Sequence, residues 1–219
     1  MARSILLIGE SGAGKTSSFR NLDPTTTFIV DADKKGLPWR GWKKQYNDKR
    51  KNYVVTSNAK TILSVMKRIN TGDLNHVKVL IVDTLNGIMI DDEMVRMKEK
   101  TFDKWQDLAV AVYGLIGYAN TMRDGLTCIF TGHTQTDRED SGYMFTHLKT
   151  SGKKLDKIVL ESKFTTVLLA KANEGRYVFE TRANRSTAKT PFGCFKDAEI
   201  DNDMTNVIQA LDEYENGED

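Results

Sequence analysis

One octapeptide decides the fold of this chain: Gly9-Glu10-Ser11-Gly12-Ala13-Gly14-Lys15-Thr16. The apolar run Ser4-Ile5-Leu6-Leu7-Ile8 precedes it and is expected to form the strand that leads into it. The glycines let the backbone turn sharply, so that successive N–H groups converge on phosphate oxygens. Residues 16–21 suit a helix, whose positive N-terminus would face the same phosphates. The octapeptide, called the phosphate loop below, therefore predicts a nucleotide-binding protein.

The residue types of the phosphate loop indicate separate roles. The Lys15 ammonium is expected at the β- and γ-phosphates, and the Thr16 hydroxyl is expected to bind Mg²⁺. The residues expected to contact the nucleotide are Gly9, Glu10, Ser11, Gly12, Ala13, Gly14, Lys15, Thr16 and Ser17. Motors, kinases, switches and recombinases share such a loop, so the loop alone does not define the function.

A second motif lies at residues 76–83, where a mostly apolar run ends in Asp83. A buried parallel strand that ends in an acid is typical of the Walker B element of nucleotide-binding proteins. We expect Asp83 to hold Mg²⁺ directly or through water, with Thr16 as the second metal-binding side chain. The two motifs together predict a magnesium and nucleotide site.

The composition indicates one compact domain. The chain has 219 residues, 39% of them hydrophobic, and no linker rich in proline, glycine or serine divides it. Its two cysteines, Cys128 and Cys194, have neither metal-ligand nor disulfide spacing. No apolar stretch approaches the ~20 residues that span a bilayer, and no signal-peptide pattern is found. We therefore expect a cytoplasmic protein that does not engage a membrane.

Charge is distributed unevenly along the chain. Residues 197–219 carry nine acidic side chains and no lysine or arginine, so the net charge of +2 leaves +11 on residues 1–196. This contrast predicts a core at 1–196 and an acidic helix or tail at 197–219. A basic body suits nucleic-acid binding, with the tail as an internal shield. A solvated terminal helix explains the tail equally well.

The remaining periodicities predict alternating strands and helices. Strands are expected at 25–30, 52–57, 127–130, 163–172 and 177–181, and helices at 60–70, 88–98 and 105–122. The last two strands are joined by the turn Asn173-Glu174-Gly175, whereas 134–156 is polar and irregular. The order predicts an α/β fold with three layers, a mostly parallel sheet and a C-terminal antiparallel hairpin.

Over residues 3–195 the chain resembles the RecA-like recombinase core, and more closely the small phage ATPases of single-strand annealing and recombination. Ile29-Val30-Asp31-Ala32-Asp33 resembles the RecA pattern Ile-Asp-Ala-Glu, whose final acid activates the attacking water. Ile81-Val82-Asp83-Thr84-Leu85 is similar to the Val-Asp-Ser segment of the family's Walker B element. The resemblance implies ATP as the nucleotide, Asp33 as the general base and Asp83 as the metal-binding acid.

The resemblance extends to the elements after Walker B. Ile129-Phe130-Thr131-Gly132-His133 resembles the strand whose last polar residue senses the γ-phosphate, which implies that role for His133. Residues 134–156 stand in the place of the DNA-binding loop. Asn184-Arg185 resembles an Asn-Arg element, and Lys189 lies nearby, which implies that Arg185 and Lys189 are cations able to reach a neighbour's nucleotide. Asp33 is shorter than the family's glutamate, and His133 replaces its glutamine, so hydrolysis is expected to be slow and the sensor pH-dependent.

Two stretches mix cations with aromatic residues, as expected for stacking of bases and pairing with phosphates. The first covers residues 39–53, where Trp39 and Trp42 could instead pack onto the sheet. The second covers 143–157, and its candidate contacts are Tyr143, Phe145, Lys149, Lys153, Lys154 and Lys157. Single-stranded DNA is the expected partner, with a further copy of the chain and a single-strand-binding or replication protein as other possible partners.

Three functions are compatible with these features. The favoured one is an ATP-hydrolysing, RecA-like protein that acts on single-stranded DNA in phage recombination or replication, in the cytoplasm of the host cell. The second is a nucleoside or nucleotide kinase with Asp137-Arg138 in a lid. The third is a non-hydrolysing, nucleotide-dependent scaffold that recruits partners through the acidic tail.

Overall fold

The structure is a computed structural model that describes residues 1–101, 103–138, 142–151 and 155–217. These residues form nine strands and five α-helices. The strands are β1 (Arg3–Gly9), β2 (Thr27–Asp31), β3 (Tyr53–Val55), β4 (Val79–Asp83), β5 (Thr127–Arg138), β6 (Met144–Leu148), β7 (Thr166–Asn173), β8 (Arg176–Glu180) and β9 (Glu199–Asp201). The helices are α1 (Trp42–Gln45), α2 (Ala59–Thr71), α3 (Leu85–Val95), α4 (Asp103–Ala119) and α5 (Met204–Asn216).

The main sheet has the strand order β3-β2-β4-β5-β1-β7-β8-β9, and β6 pairs with β5 outside this path. Pairing is parallel from β3 to β7 and antiparallel from β7 to β9. The predicted α/β fold, with a mostly parallel sheet and a C-terminal antiparallel hairpin, is therefore confirmed. The turn of that hairpin uses Glu174 and Gly175 at φ +49° and +82°.

Both faces of the sheet are covered, which gives three layers. On β1, Leu6 and Ile8 pack into one apolar core with residues of α2, α3 and α4. Ile5 and Leu7 point to the other face and pack with α5 and with buried rings such as Tyr46. Because both faces are buried, the central strands read as continuous apolar runs rather than as alternating patterns.

The segment after the phosphate loop differs from the expected helix. It is a single 3-10 turn at Thr16–Phe19. The Ser18 hydroxyl donates a 2.6 Å hydrogen bond to the Lys15 carbonyl, and such local side-chain bonds compete with an α-helix. The expected contribution of a helix N-terminus at the phosphates is therefore wrong, because one short turn sums few peptide dipoles.

The polar stretch at 134–156 is also more regular than expected. Strand β5 continues to Arg138 and pairs with β6 in antiparallel register, from Thr134 opposite Leu148 to Arg138 opposite Met144. We call residues 134–138 and 144–148 the β5–β6 ribbon. The ribbon lies outside the path of the main sheet, and Leu148 is its one buried residue, so its sequence lacks a regular apolar pattern.

The acidic segment contributes to the same fold through residue 217. Strand β9 pairs with β8, and α5 buries Met204, Val207 and Leu211 against the sheet. Its acidic residues lie on the other side of the helix, where Arg3 donates hydrogen bonds of 2.7 Å to both Asp212 and Glu215. The sequence predicted an acidic helix or tail here but not its packing against the sheet, which needs only one apolar stripe on the helix.

No helix within the described ranges is both long and apolar enough to cross a membrane.

Candidate functional site

Strand order brings the predicted site residues together. Strand β5 lies between β1 and β4, with Gly9 of the phosphate loop opposite His133. On the next pair of strands, Asp31 of β2 is opposite Asp83 of β4. Parallel strands end at one edge of a sheet, and ligands of such sheets bind beyond that edge. The phosphate loop, Asp33, Asp83 and His133 all lie there.

The phosphate loop depends on its three glycines. Gly12 and Gly14 have φ of +82° and +86°, a backbone region that other residues rarely adopt. At Gly9, a β-carbon would lie 2.8 Å from the carbonyl oxygen of Ala170 on the neighbouring strand β7. Glycine at these positions therefore has a steric reason.

Lys15 is folded back onto the loop that carries it. Its Nζ donates hydrogen bonds of 2.7 and 2.8 Å to the carbonyl oxygens of Gly9 and Glu10, and it lies 3.5 Å from His133 Nδ1. Burial lowers the pKa of Lys15 to about 8. The site therefore holds an ammonium group that is only partly compensated by carbonyl dipoles, and a phosphate would complete its pairing.

Asp83 is held on both of its carboxylate oxygens. Thr16 Oγ1 donates a 2.8 Å hydrogen bond to Oδ2, and the buried hydroxyl of Thr131 donates to Oδ1. Burial raises the pKa of Asp83, and these two hydrogen bonds oppose that rise. Thr131 is a site residue that sequence reasoning did not single out, since a threonine within an apolar strand carries no signal of its own.

The oxygen atoms of Thr16 and Asp83 fit Mg²⁺. This ion prefers oxygen ligands and is usually bound through one or two carboxylates together with substrate phosphates. Among the described residues, no group of three or more His, Cys, Asp or Glu side chains could hold a metal ion. The donors of Thr16 and Asp83 thus suit a metal ion that arrives with a nucleotide.

Asp33 lies just beyond β2, and its side chain is 15% exposed. Thr84 Oγ1 donates a 2.8 Å hydrogen bond to its Oδ1, and Lys35 Nζ donates a 2.6 Å hydrogen bond to its Oδ2. Helix α3 packs closely here, because a β-carbon on Gly87 would lie 2.6 Å from Asp33 Oδ1. Asp31, by contrast, is fully buried and accepts a 2.6 Å hydrogen bond from Tyr53, so its role is structural.

Asn86 links His133 to Lys149, the residue that follows the β5–β6 ribbon, and the Lys149 N–H also donates directly to the His133 carbonyl. The His133 N–H donates a 2.7 Å hydrogen bond to Asn86 Oδ1, and Asn86 Nδ2 donates at 2.9 Å to the carbonyl of Lys149. Burial lowers the pKa of His133, and the charge of Lys15 lowers it further. Asn86 was missed at the sequence level, although an amide in the apolar first turn of α3 was a usable signal.

A cleft of about 900 Å³ opens over the phosphate loop. Six of the nine predicted nucleotide contacts line it: Ser11, Gly12, Gly14, Lys15, Thr16 and Ser17. Glu10 and Ala13 face a neighbouring groove instead, and Gly9 accepts the hydrogen bond from Lys15. His133 and Lys35 line one end of the cleft, and Arg20, Tyr177 and Asn202 line the rest of it. The wall built by Tyr177 and the acidic segment was not expected from the sequence.

Three of the candidate DNA contacts, Tyr143, Phe145 and Lys149, lie in or directly beside β6 of the ribbon. Tyr143 directly precedes β6, and the guanidinium carbon of Arg185 lies 5.8 Å from the centre of its ring. Phe145 stacks on His147 with ring centres 6.3 Å apart. Lys149 and Lys157 are exposed. Lys153 and Lys154 lie outside the described residues.

The aromatic residues of the 39–53 stretch pack inward. Trp39 and Trp42 are half-buried against the core, and the Trp39 indole N–H donates a 2.7 Å hydrogen bond to Gln45. Tyr46 is fully buried, and Trp42 packs against Tyr53 with ring centres 5.4 Å apart. Their packing accounts for these rings without a nucleic-acid ligand.

Arg185 and Lys189 are exposed and lie outside the lining of the cleft. Lys189 exchanges two backbone hydrogen bonds with Val167, and the Arg185 carbonyl accepts one of 2.8 Å from the Thr146 N–H. The backbone at both positions is therefore anchored to the core and to the ribbon.

Asp137 and Arg138, the lid residues of the kinase alternative, belong to β5 and pair with β6. Asp137 also accepts a 2.9 Å hydrogen bond from His147. These two residues therefore lie in a paired strand and not in an irregular loop, and the kinase hypothesis stays a prediction.

Comparison with known proteins agrees with this geometry. The family model described as "AAA domain" matches residues 1–192, which is most of the chain. A search among curated proteins finds no match. The chain therefore belongs to the AAA domain family and is a nucleotide-binding protein of the P-loop NTPase class.

Proposed function

We propose that this protein hydrolyses ATP and couples ATP occupancy to the binding of single-stranded DNA, in phage recombination or replication. One observation carries the proposal. Strand β5 runs without interruption from Thr131, which binds Asp83, through His133 beside Lys15, into the ribbon that leads to the aromatic residues. The phosphate-binding edge and the candidate DNA surface thus share one rigid element.

In the proposed reaction, a water oxygen attacks the γ-phosphorus, the bond to the bridging oxygen breaks, and ADP and phosphate leave. Lys15 would exchange its carbonyl partners for phosphate oxygens. Thr16 and Asp83 would hold Mg²⁺, which, when bound, neutralises negative charge on the β- and γ-phosphates. Lys15 thus binds and orients the phosphates, and Asp83 is kept in place by Thr16 and Thr131.

Asp33 is the proposed general base. Its Oδ1 is fixed by Thr84, which leaves Oδ2 to accept a hydrogen from the attacking water once Lys35 has moved away. A carboxylate held by a neighbouring hydroxyl can orient water at little further entropic cost. Supporting this assignment, Asp33 lies at the same sheet edge as the phosphate loop, whereas the nearby Asp31 is fully engaged in structural hydrogen bonds.

His133 is the proposed sensor of the γ-phosphate. Its backbone N–H and carbonyl contact Asn86 and Lys149, so a shift of the histidine acts directly on the base of the ribbon. Its lowered pKa keeps the ring neutral at neutral pH, so that one ring nitrogen can donate a hydrogen bond to phosphate without a second fixed charge beside Lys15.

The ribbon and its flanks are the proposed surface for single-stranded DNA. Tyr143 and Phe145 offer rings for base stacking, and Lys149 with Lys157 offers charges for phosphates, the combination found in sequence-tolerant binding. Lys153 and Lys154 are included in this proposal on their sequence positions. The inward packing of Trp39 and Trp42 favours this surface over the 39–53 stretch.

A homo-oligomer is a further part of the proposal. Arg185 and Lys189 are exposed cations outside their own cleft, as expected of residues that reach a neighbour's nucleotide. Turnover per subunit should then rise with protein concentration, and Arg185→Ala subunits should depress the activity of wild-type subunits mixed with them. A single-strand-binding or replication protein remains a proposed partner.

The first experiment is ATP turnover at low salt, with and without single-stranded DNA, using Lys15→Ala as the blank. Stimulation by DNA would support the coupled function. An ATP turnover rate that is the same with and without DNA would contradict the coupling. Nucleotide binding without turnover would favour a scaffold.

A second experiment separates DNA contacts from nucleotide contacts. The double variant Lys149→Gln with Lys157→Gln should weaken binding of a labelled oligonucleotide and reduce its salt dependence by about two charges, while ATP affinity is kept. The matched control is Lys60→Gln with Lys67→Gln on α2, which removes the same charge elsewhere. Equal effects of both double variants would count against the ribbon surface.

A further inference from the structure

Lys35 forms an ion pair with the candidate general base. Its Nζ lies 2.6 Å from Asp33 Oδ2, and its side chain, 49% exposed, lines the cleft together with Lys15 and His133. Asp33 is much more buried than Lys35. The lysine therefore covers the one oxygen of Asp33 that Thr84 does not bind.

The backbone of Lys35 is anchored, whereas its side chain has room to move. The N–H groups of Lys35 and Gly36 donate hydrogen bonds of 3.4 and 2.8 Å to the buried carboxylate of Asp31. The loop after β2 is thus held at its base. Beyond that base, four methylene groups carry the ammonium into the open cleft, and a lysine stem reorients readily.

The electrostatics of the cleft favour a second anion partner for Lys35. Burial alone would lower the pKa of Lys35, but the hydrogen bond to Asp33 and the charges of Asp83 and Asp31 raise it, so the group stays an ammonium. Its charge also depresses the pKa values of Lys15 and His133, which places all three groups within reach of one another's fields. Lys15 and Lys35 face the same cleft, and such a pair of cations is complementary to a ligand with several negative charges.

The neighbouring lysine shows that this orientation is specific. Lys34, at φ +58°, turns away from the cleft and forms an ion pair with Asp91 of α3, which also accepts a 2.6 Å hydrogen bond from Ser57. Lys34 and Lys35 are alike in chemistry and exposure but differ in partner. Only Lys35 is directed at the phosphate-binding edge.

We propose that Lys35 is a second phosphate-binding cation of the same subunit, which exchanges Asp33 for the terminal phosphate of the nucleotide. The proposal rests on the ATP-binding function argued above. Before nucleotide binds, the ion pair keeps Asp33 Oδ2 covered. After the exchange, Asp33 Oδ2 is open to water while the γ-phosphate is in place. Asp33 can therefore act as a base only when ATP is bound.

The test compares Lys35→Met with Lys34→Met, measuring the affinities for ATP and for ADP by calorimetry. Loss of a charge-assisted contact to the γ-phosphate should weaken ATP binding by about tenfold to a hundredfold and leave ADP within about twofold. Lys35→Arg should restore most of the ATP affinity. Lys34→Met should change the affinity for neither ATP nor ADP. Thermal unfolding of both variants checks that they are folded.

The proposal would be overturned if Lys35→Met lost equal affinity for ATP and ADP, or lost no affinity for ATP. If the wild-type protein itself binds neither nucleotide, the proposed function fails first, and the two failures are thereby distinguished. A double-mutant cycle tests the exchange itself: Asp33→Asn should raise ATP affinity more in the presence of Lys35 than in Lys35→Met. An equal gain in both backgrounds would show that Lys35 does not pass from Asp33 to the phosphate.

Discussion

The hydroxyl of Thr16 donates a 2.8 Å hydrogen bond to the carboxylate of Asp83, and so joins the phosphate loop to the end of β4. The other oxygen of Asp83 is held by Thr131 of β5, the strand that separates β4 from β1. Strands β4 and β5 and the turn that follows the phosphate loop therefore all contribute to the position of one carboxylate. Such support means that metal ligands are oriented before a nucleotide arrives, which lowers the entropic cost of binding.

Thr131→Val should weaken both the fold and the metal-dependent site. The buried Asp83 oxygen would lose its donor, so we expect the free energy of unfolding to fall by about 1–3 kcal/mol. Nucleotide affinity in Mg²⁺ should fall more than affinity without it. Thr166→Val is the matched control, because the buried Thr166 hydroxyl has no hydrogen-bond partner among the described residues. Urea unfolding measures the free energy of unfolding of both variants. Equal values for Thr131→Val and Thr166→Val would contradict the role of Thr131.

Gly87→Ala should displace Asp33. The new β-carbon would lie 2.6 Å from Asp33 Oδ1 and 2.7 Å from the carbonyl oxygen of Ala32, and backbone cannot yield easily. We expect a loss of about 1–3 kcal/mol in stability and a larger relative loss in turnover than in ATP affinity. Gly114→Ala in α4 meets nothing within 4 Å and should stabilise the helix by about 1 kcal/mol. Normal turnover by Gly87→Ala would argue against Asp33 as the base.

Nucleotide affinity should fall as the pH rises above about 8. Burial lowers the pKa of Lys15 to about 8 in the ligand-free protein, and bound phosphates would raise it again. The protonated form binds, so affinity is constant below that pKa and declines by about tenfold per pH unit above it. Calorimetry at alkaline pH, in two buffers of different ionisation enthalpy, should reveal proton uptake on binding. An affinity that is flat from about pH 7 to about pH 9.5 would exclude this linkage.

Leu211→Ala should destabilise the whole domain. Leu211 of α5 is 1% exposed, and removing a buried leucine side chain typically costs about 2–5 kcal/mol. Tyr214→Ala on the same helix is the control, because its ring is 44% exposed and should change stability by much less. Thermal unfolding measures both, and a harmless Leu211→Ala would mean that the acidic segment is dispensable for the fold.

Asn86→Ala should weaken the link between the ribbon and the nucleotide site, although the Lys149 N–H still donates directly to the His133 carbonyl. The Asn86 side chain forms hydrogen bonds with the backbone of both His133 and Lys149. Its removal should leave ATP binding largely intact and reduce the stimulation of turnover by DNA. Asn120→Ala, which removes a single 3.0 Å hydrogen bond to the Lys163 carbonyl, is the control. Turnover with and without oligonucleotide provides the readout, and undiminished stimulation in Asn86→Ala would contradict the coupling.

Features encoded in contiguous residues were predictable. The phosphate loop follows from glycine spacing, β4 and Asp83 from an apolar run that ends in an acid, and the β7–β8 hairpin from the turn at residues 173–175. The β5–β6 ribbon was not predictable, because Leu148 is its one buried residue and its sequence therefore lacks apolar alternation. The prediction of a helix after the phosphate loop was wrong, because the Ser18 hydroxyl donates a hydrogen bond to the Lys15 carbonyl and favours a short 3-10 turn.

The sequence by itself determined the class of protein, since a phosphate loop and an acid-ended strand are local patterns whose chemistry needs little context. Only the tertiary structure decided which side chains meet at the site. The placement of β5 between β1 and β4 brings Thr131 to Asp83, the path of the loop after β2 turns Lys35 and not Lys34 toward Asp33, and Asn86 spans two elements. Thr131 and Asn86 contact residues that are distant in sequence, and Lys34 and Lys35 are the same residue type with different partners. Which contacts form therefore depends on tertiary packing, which a local sequence pattern does not encode.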